Sequence, residues 1–366
     1  MNGLTKALGI LGVVILLTAA VGGFFAIQFL STAPSSSTEP VVFEVRPGES
    51  FKAIAHRLQE QGLVTSSWKL EVFARVARSG AKVRVGEYAL RRDFRPREIM
   101  QVLISGKSIE YAITIPEGAN RFEIADLLMK SQLIDRVEFM ALTESPSFIE
   151  DVLGLPVSTL EGYLFPETYK VTKFTGARGF VRMMVERFKE NYKRLQTVSG
   201  WSRGSLSDHQ IVTMASIIEK ETGAAEERPV IASVFYNRLN IKMPLQTDPT
   251  IIYGLFLERG MWNGALPRAE LQRPGPYNSY LNQGLPPGPI SNPGFEALKA
   301  AGLPQKTDYL FFMSRNDGTH TFSREYSKHA TAVREYWADR KKGESKSSWR
   351  DLKKREKVPD KVIEKR

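Results

Sequence analysis

The sequence predicts an α+β protein in three parts: an N-terminal transmembrane helix, small α/β modules, and a mainly helical C-terminal half with a loop-rich wall and a β-hairpin. Three observations carry this reading. The chain opens on a 24-residue apolar run without charge. A strand–turn–helix pattern then occurs twice at a constant offset of 70 residues. Beyond Ser145, helical periodicity alternates with long stretches rich in Gly and Pro.

The apolar run, ALGILGVVILLTAAVGGFFAIQFL, occupies residues 7–30. About 20 such residues suffice to cross a bilayer core, whereas a cleavable signal has an apolar region of roughly 7–15. The run therefore reads as a signal anchor that stays in place. Lys6 precedes it and no charge follows until Glu39. That asymmetry favours a cytoplasmic N-terminus (residues 1–6), with the body on the extracytoplasmic or periplasmic side of the inner membrane. Residues 31–40, STAPSSSTEP, have the composition of a solvated linker.

VRPGESFKAIAHRLQEQGLV (45–64) overlays IPEGANRFEIADLLMKSQLI (115–134), with Gly48 on Gly118, Ile54-Ala55 on Ile124-Ala125 and Leu58 on Leu128. Each copy predicts a short strand, a glycine turn and an amphipathic helix of about three turns. Between them lie a helix in WKLEVFARVARSG, a strand in VRVGEYAL and a helix in RPREIMQVLISG. The expected divisions are a first module over 41–108, a second repeat-like module over 109–145, and a main domain over 146–338. Within the last, RGFVRMMVERFKENYKRL, HQIVTMASIIEKET and VIASVFYNRL predict helices, and DYLFFMSRNDGTHTFS predicts a β-hairpin turning near Asn316-Asp317-Gly318. The loop LQRPGPYNSYLNQGLPPGPISNPG is long enough to suggest function.

Composition excludes several classes. The net charge is +11, but from Arg340 to Arg366 twelve Lys and Arg face five Asp and Glu, so a net seven of those charges lie in residues 340–366, within the tail assigned to 339–366. The body carries no general basic character and no nucleic-acid partner is expected; the tail reads as solvated and mobile. The absence of cysteine excludes disulfides, thiolate metal sites and a Cys nucleophile. His56, His209, His320 and His329 show no short metal-ligand spacing. No GxSxG elbow is present, and ISGKS at 104–108 lacks the first glycine of a P-loop. No metal or cofactor is implied.

The helix ending in IIEKETG (217–223) carries Glu219 and Glu221. Counting back three, four and seven residues, Glu221 is preceded by Ile218, Ile217 and Met214, and Glu219 by Ser216, Ala215 and Val212. Side chains lean toward the preceding turn, so Glu221 lies over the bulkier apolar surface. Burial there raises a carboxyl pKa, as a general acid at neutral pH requires. Glu219 is expected to stay nearer its ordinary ionised state. By residue type alone, a glutamate in a last helical turn is more commonly an exposed one.

FEVRPGESFKAIAHRL resembles the start of a LysM module, a small fold that binds N-acetylated glycans. More extensively, ASIIEKETGAAEERPVIASVFYNRLNIKMPLQTDPTIIYGL resembles the core of the MltG (YceG-like) family of endolytic murein transglycosylases. LEGYLFPETY, YNSY, GLPPGPISNPG and GTHTFS match its other blocks in order. The resemblance covers nearly the whole chain except the basic tail. It implies a lysozyme/transglycosylase-like catalytic domain that cuts the MurNAc-β-1,4-GlcNAc bond of nascent peptidoglycan strands without water, leaving 1,6-anhydro ends. It also suggests action within strands near the membrane, alongside peptidoglycan synthases. The family's catalytic glutamate is followed by Thr or Ser, which here is Glu221 before Thr222.

One carboxylate can suffice, giving a proton to the leaving oxygen and then taking one from the sugar hydroxyl, whereas a glycosidase needs two. Asp248 is the best candidate for a second carboxylate; its alternative is an Asx-turn before Pro249. Glu226 and Glu227 read as surface charges. Gln246, Tyr277 and Asn278 are candidate substrate contacts through amide and phenol groups, and Tyr163, Tyr253 and Tyr280 could stack on sugar rings. For each of these, core packing is an equally simple reading. His320 is expected to be a hydrogen-bonded strand-end residue. A hydrolytic muramidase and a non-catalytic peptidoglycan-binding scaffold remain the alternative functions.

Overall fold

The computed structural model describes residues 2–260, 266–315 and 317–341. Asn316 of the expected hairpin turn and the basic tail beyond Lys341 lie outside the described residues. By internal contacts the chain forms two compact units. One comprises residues up to Tyr111 with Val171–Phe174; the other comprises Ala112–Lys170 and the described residues from Thr175 onward.

The first unit begins with α1 (Asn2–Ser31). Its segment Leu8–Ser31 is long and apolar enough to cross a membrane, and its most apolar 18-residue stretch has a mean hydropathy of 2.6. There follow β1 (Pro40–Val45), α2 (Phe51–Glu60), α3 (Ser67–Val76), β2 (Gly86–Arg91) and α4 (Pro96–Ser105). β1 and β2 pair antiparallel, from Pro40↔Arg91 to Val45↔Gly86. The helix starts follow local chemistry: Ser50 and Ser66 accept the N–H groups of Ala53 and Lys69, and Pro96 opens α4, where its missing donor costs nothing. Phe43, Leu58, Leu70, Tyr88, Leu90 and Leu103 are fully buried in one core. Burying a large apolar side chain contributes about 1.5–3 kcal/mol, so this core is what holds the two-stranded sheet to its helices.

The second unit contains all but the first residue of β3 (Tyr111–Thr114), α5 (Arg121–Ser131), α6 (Arg136–Glu144), α7 (Pro146–Leu153), all but the last residue of β4 (Thr168–Val171), α8 (Gly176–Leu195), α9 (Asp208–Glu221), α10 (Arg228–Asn240), α11 (Asp248–Arg259), α12 (Phe295–Gly302), β5 (Phe311–Ser314), β6 (His320–Ser323) and α13 (Tyr326–Lys341). β3 pairs with β4, and β5 with β6 as the antiparallel hairpin. The architecture is mixed but mostly helical, with small two-stranded sheets among the described residues.

The repeat is visible in the backbone. Gly48 and Gly118 take φ of +74° and +73°, a region open mainly to glycine. Ser50 and Asn120 cap the helices that follow, beginning at Phe51 and Arg121. Ile54, Ala55 and Leu58 in one copy, and Ile124, Ala125 and Leu128 in the other, face the core. The second copy nevertheless does not stand apart as a module over 109–145. Gly118 donates its N–H to Asn292 O at 2.9 Å and α6 packs on α8, so its apolar faces are covered by chain from the C-terminal half.

α9 is the central helix of this unit, with every residue from Ile211 to Glu219 buried. The glycine- and proline-rich loop lies along it: Ile290 N–H donates to Ser216 Oγ at 3.0 Å, and Ser291 Oγ donates to Ser216 O at 3.1 Å.

Candidate active site

α9 starts on a reciprocal cap between Ser207 and Gln210 and ends where Thr222 turns extended. Its last turn holds the two glutamates. The Glu221 carboxylate accepts a hydrogen bond from the Thr247 hydroxyl. Thr247 is itself fixed, since its N–H donates to Ser279 Oγ at 3.0 Å, while the N–H of Gln246 donates to Ser279 O at 2.9 Å. Gln246 adopts φ +49°, a left-handed conformation that costs a non-glycine residue on the order of 1–2 kcal/mol. Strain of that size at a solvent-exposed glutamine beside a partly buried carboxyl is a feature of functional sites more than of frames.

Burial pushes the Glu221 carboxyl up to about 7. The Thr247 hydroxyl works against this by stabilising the carboxylate, the charge of Asp248 adds to it, and the Arg238 guanidinium opposes it. Arg238, buried on α10, donates Nε–H to Leu310 O at 2.7 Å and Nη1–H to Leu245 O at 2.5 Å. It thereby ties the loop before α11 to the chain entering the hairpin. Asp248 is exposed at the start of α11, and its carboxylate accepts the Tyr280 hydroxyl at 2.7 Å. It does not form the Asx-turn considered above: the helix begins at Asp248 itself, with Pro249 in its first turn. Glu221, Thr247, Asp248, Tyr280 and Arg238 thus form one cluster, with Gln246 at its edge.

Glu219 is enclosed more fully than the helical wheel implies. It is the more buried carboxylate, 3% exposed, and it is held by Arg228 at 3.4 Å and by the Gly294 N–H at 3.2 Å. The helical wheel describes only the walls that α9 supplies; those that enclose Glu219 come from α10 and the loop before α12. Its bonds are spent on holding that loop.

Other candidates prove to be frame. Tyr163 is fully buried, its hydroxyl 2.7 Å from His209 Nδ1 and its ring edge-on to Phe188. His209 Nε2 lies 3.2 Å from Pro287 O, an acceptor only, so Nε2 carries the proton and Nδ1 accepts the phenol. Tyr253 is 3% exposed, bonds to Glu161, and packs edge-on to Tyr277. Neither ring has a free face for a sugar, which corrects the stacking expectation for both. Asn278 is also buried, with Nδ2 directed at the carbonyls of Leu271 and Arg273 and Oδ1 accepting the Tyr280 N–H; its amide is consumed within the loop. Tyr277 and Tyr280 are half-buried, and burial pushes the Tyr277 phenol to about 12. Tyr277 lines a cavity of about 130 Å³ between α11 and the loop through Arg273, which Glu221 does not line.

Glu227 is no surface charge. Its carboxylate lies 2.6 Å from His320 Nδ1 and accepts the His320 N–H at 2.8 Å, which anchors the hairpin as expected for a strand-end histidine. The sequence reading missed Thr247, Arg238 and Glu161. Thr247 could have been noticed as the hydroxyl just ahead of Asp248. Glu161, in LEGY, is 1% exposed and raised by burial to about 7. It accepts the Arg121 N–H and Asn292 Nδ2–H, while Asn292 Oδ1 accepts the N–H groups of Gly162 and Leu164. The LEGYLF and SNPG blocks are therefore joined to each other and to the second repeat copy as the support behind α9.

The family model described as the YceG-like family matches residues 43–335. A Bacillus subtilis protein named endolytic murein transglycosylase is 32% identical over 338 residues, covering 86% of this chain and 91% of the relative. A Streptococcus pneumoniae protein of the same name is 28% identical over 343 residues, covering 84% of this chain and 61% of the longer relative. A crystal structure of a yceG-like protein from Listeria monocytogenes aligns with a TM-score of 0.53 at 31% identity, over 81% of this chain and 99% of that one. The match spans both compact units and every residue of the Glu221 cluster, and the chain belongs to the YceG-like family.

Proposed function

We propose that the protein is a membrane-anchored endolytic lytic transglycosylase of peptidoglycan. The observation that carries the proposal is the Glu221 carboxyl, raised by burial to about 7 within a cluster containing a strained exposed Gln246 and the Asp248–Tyr280 pair. The curated relatives named endolytic murein transglycosylase support it. A carboxyl poised near neutrality is protonated often enough to act as acid and ionised often enough to act as base.

In this mechanism Glu221 gives its proton to the glycosidic oxygen as the bond from C1 of N-acetylmuramic acid breaks, and the N-acetylglucosamine leaves with a free 4-hydroxyl. Charge on C1 is met by the muramyl O6. The Glu221 carboxylate takes the proton from that hydroxyl as the O6–C1 bond closes the 1,6-anhydro ring. The proton count returns to its start and no water is consumed. Thr247 holds the carboxylate in place throughout, and the Arg238 guanidinium stabilises its ionised state. Asp248 is occupied by Tyr280 and acts on Glu221 through its charge, which raises the affinity of Glu221 for its proton; it is a positioning residue more than a second catalytic carboxylate. Gln246, Tyr277 and Tyr280 retain enough exposure to contact the glycan. No cofactor enters the scheme.

The anchor reading belongs to the same proposal: α1 crosses the inner membrane once, N-terminus inside, and holds the body near strands emerging from synthesis. The LysM-like module is proposed as an accessory glycan contact, supported by a cavity of about 300 Å³ between the turn at Gly48 and the segment Gly80–Val85.

The test is mass spectrometry of purified glycan strands after digestion by the protein and by its Glu221→Gln variant. Anhydro-ended fragments from the wild type alone are expected. Reducing ends would make it a muramidase, and bound but uncut strands would make it a scaffold.

A further inference from the structure

α3 is apolar on two opposite faces. Leu70 and Ala74 are buried in the core of the first unit. On the other side Trp68 is 68% exposed, Val72 39% and Val76 80%. These three recur every fourth residue, so they form one stripe that drifts by about 40° per step and lies across the helix from Leu70 and Ala74. Lys69 and Arg75, both exposed, flank the stripe on its two sides. Large apolar side chains lined up at this exposure on a short helix are a contact surface awaiting an occupant.

The neighbouring element identifies the occupant. α1 packs against α3 and α4, and Phe29 in its last turn is buried in the same core as Leu70 and Ala74. Lys69 Nζ lies 5.8 Å from the centre of the Phe29 ring. The segment Leu8–Ser31 has 24 residues and spans about 36 Å at 1.5 Å per residue, a little more than the roughly 30 Å hydrocarbon core. Its last turn therefore falls at the headgroup boundary, and the helix that packs on that turn falls there with it. Trp beside Lys and Arg is the composition such a boundary selects: the indole partitions into it, and the cations meet anionic headgroups.

We propose that the outer face of α3, through Trp68, Val72 and Val76 with Lys69 and Arg75 alongside, lies in the headgroup layer of the bilayer that α1 crosses. This rests on the anchor reading of α1. The first unit is then held to the membrane by two contacts, a spanning helix and an interfacial one, and cannot swivel freely about the end of α1.

The chain has no cysteine, so single labels are simple to introduce. The full-length protein, reconstituted in vesicles of equal parts phosphatidylglycerol and phosphatidylcholine, is labelled with a nitroxide at Trp68→Cys, Val72→Cys or Val76→Cys. Leu17→Cys in α1 and Lys52→Cys on α2 serve as references. Accessibility to oxygen is compared with accessibility to a water-soluble nickel complex. A several-fold higher oxygen-to-nickel ratio at the three α3 sites than at Lys52, with Leu17 deeper still, is the expected result. In pure phosphatidylcholine the α3 sites should move outward while Leu17 stays. Leu17 in hydrocarbon with the α3 sites as aqueous as Lys52 overturns the α3 assignment and leaves the anchor standing. Leu17 in water overturns both. Loss of nickel access at the α3 sites without a gain in oxygen means that protein covers the stripe, which also overturns the assignment.

Discussion

Replacing Glu221 by Gln should make the protein more stable at neutral and alkaline pH while abolishing its activity. Near pH 4 the carboxyl is protonated in both folded and unfolded chains, and glutamine is close to its isostere, so the two proteins should unfold alike. As pH rises through 4.5 the unfolded chain releases this proton, while the folded chain keeps it until about 7. The folded state then binds more protons than the unfolded one, and stability falls across that interval. At 1.36 kcal/mol per pH unit, the difference between about 7 and 4.5 amounts to about 3 kcal/mol. The penalty is complete above pH 7 and absent from the glutamine variant, whose amide oxygen can still accept the Thr247 hydroxyl.

In a domain the size of the second unit, 1 kcal/mol moves the midpoint by about 2–4 °C, so the variant should melt roughly 6–12 °C higher at pH 8. The assay is calorimetry of the full chain in detergent, wild type against variant, at several values between pH 4 and 8. Glu161 is also raised by burial, but it is present in both proteins and drops out of the comparison. A difference that does not grow with pH would show that the Glu221 carboxyl is not desolvated, and the acid assignment would lose its physical basis.

Activity should fall as pH rises through the pKa of Glu221, because the step begins with its proton. Asp248→Asn removes a charge that raises this pKa and should move the decline to lower pH, whereas Thr247→Val removes a bond that lowers it and should move the decline upward; pH–rate profiles of strand cleavage decide both signs. Asn292→Ala strips partners from the buried N–H groups of Gly162 and Leu164 and from Glu161. It should cost about 2–6 kcal/mol, at roughly 1–3 for each of the two N–H groups left unsatisfied, read as a lower unfolding midpoint. Tyr163→Phe loses only the bond to His209 and should cost about 1 kcal/mol of stability with unchanged cleavage per folded molecule; a fall in the cleavage rate would return Tyr163 to the site.

Local chemistry made the helices legible. Capping residues such as Ser50, Asn120 and Ser207 mark their starts, apolar periodicity marks their lengths, and the 70-residue repeat even transmits the conformation of Gly48 to Gly118. The apolar run through Phe29 needed no tertiary information, because length and absence of charge are its signal. Tertiary structure alone decided which groups meet. Glu219 is enclosed by Arg228 and Gly294, and Glu221 is met by Thr247, 26 residues further along the chain. For Tyr163 and Tyr253, stacking on sugar and packing in the core are equally open in the sequence, because an aromatic has no preferred side until its neighbours arrive, and here those neighbours are His209 and Glu161. A helical wheel orders side chains by angle around one axis; burial and charge are set by the walls that other segments bring, and no periodicity along α9 encodes where those walls stand.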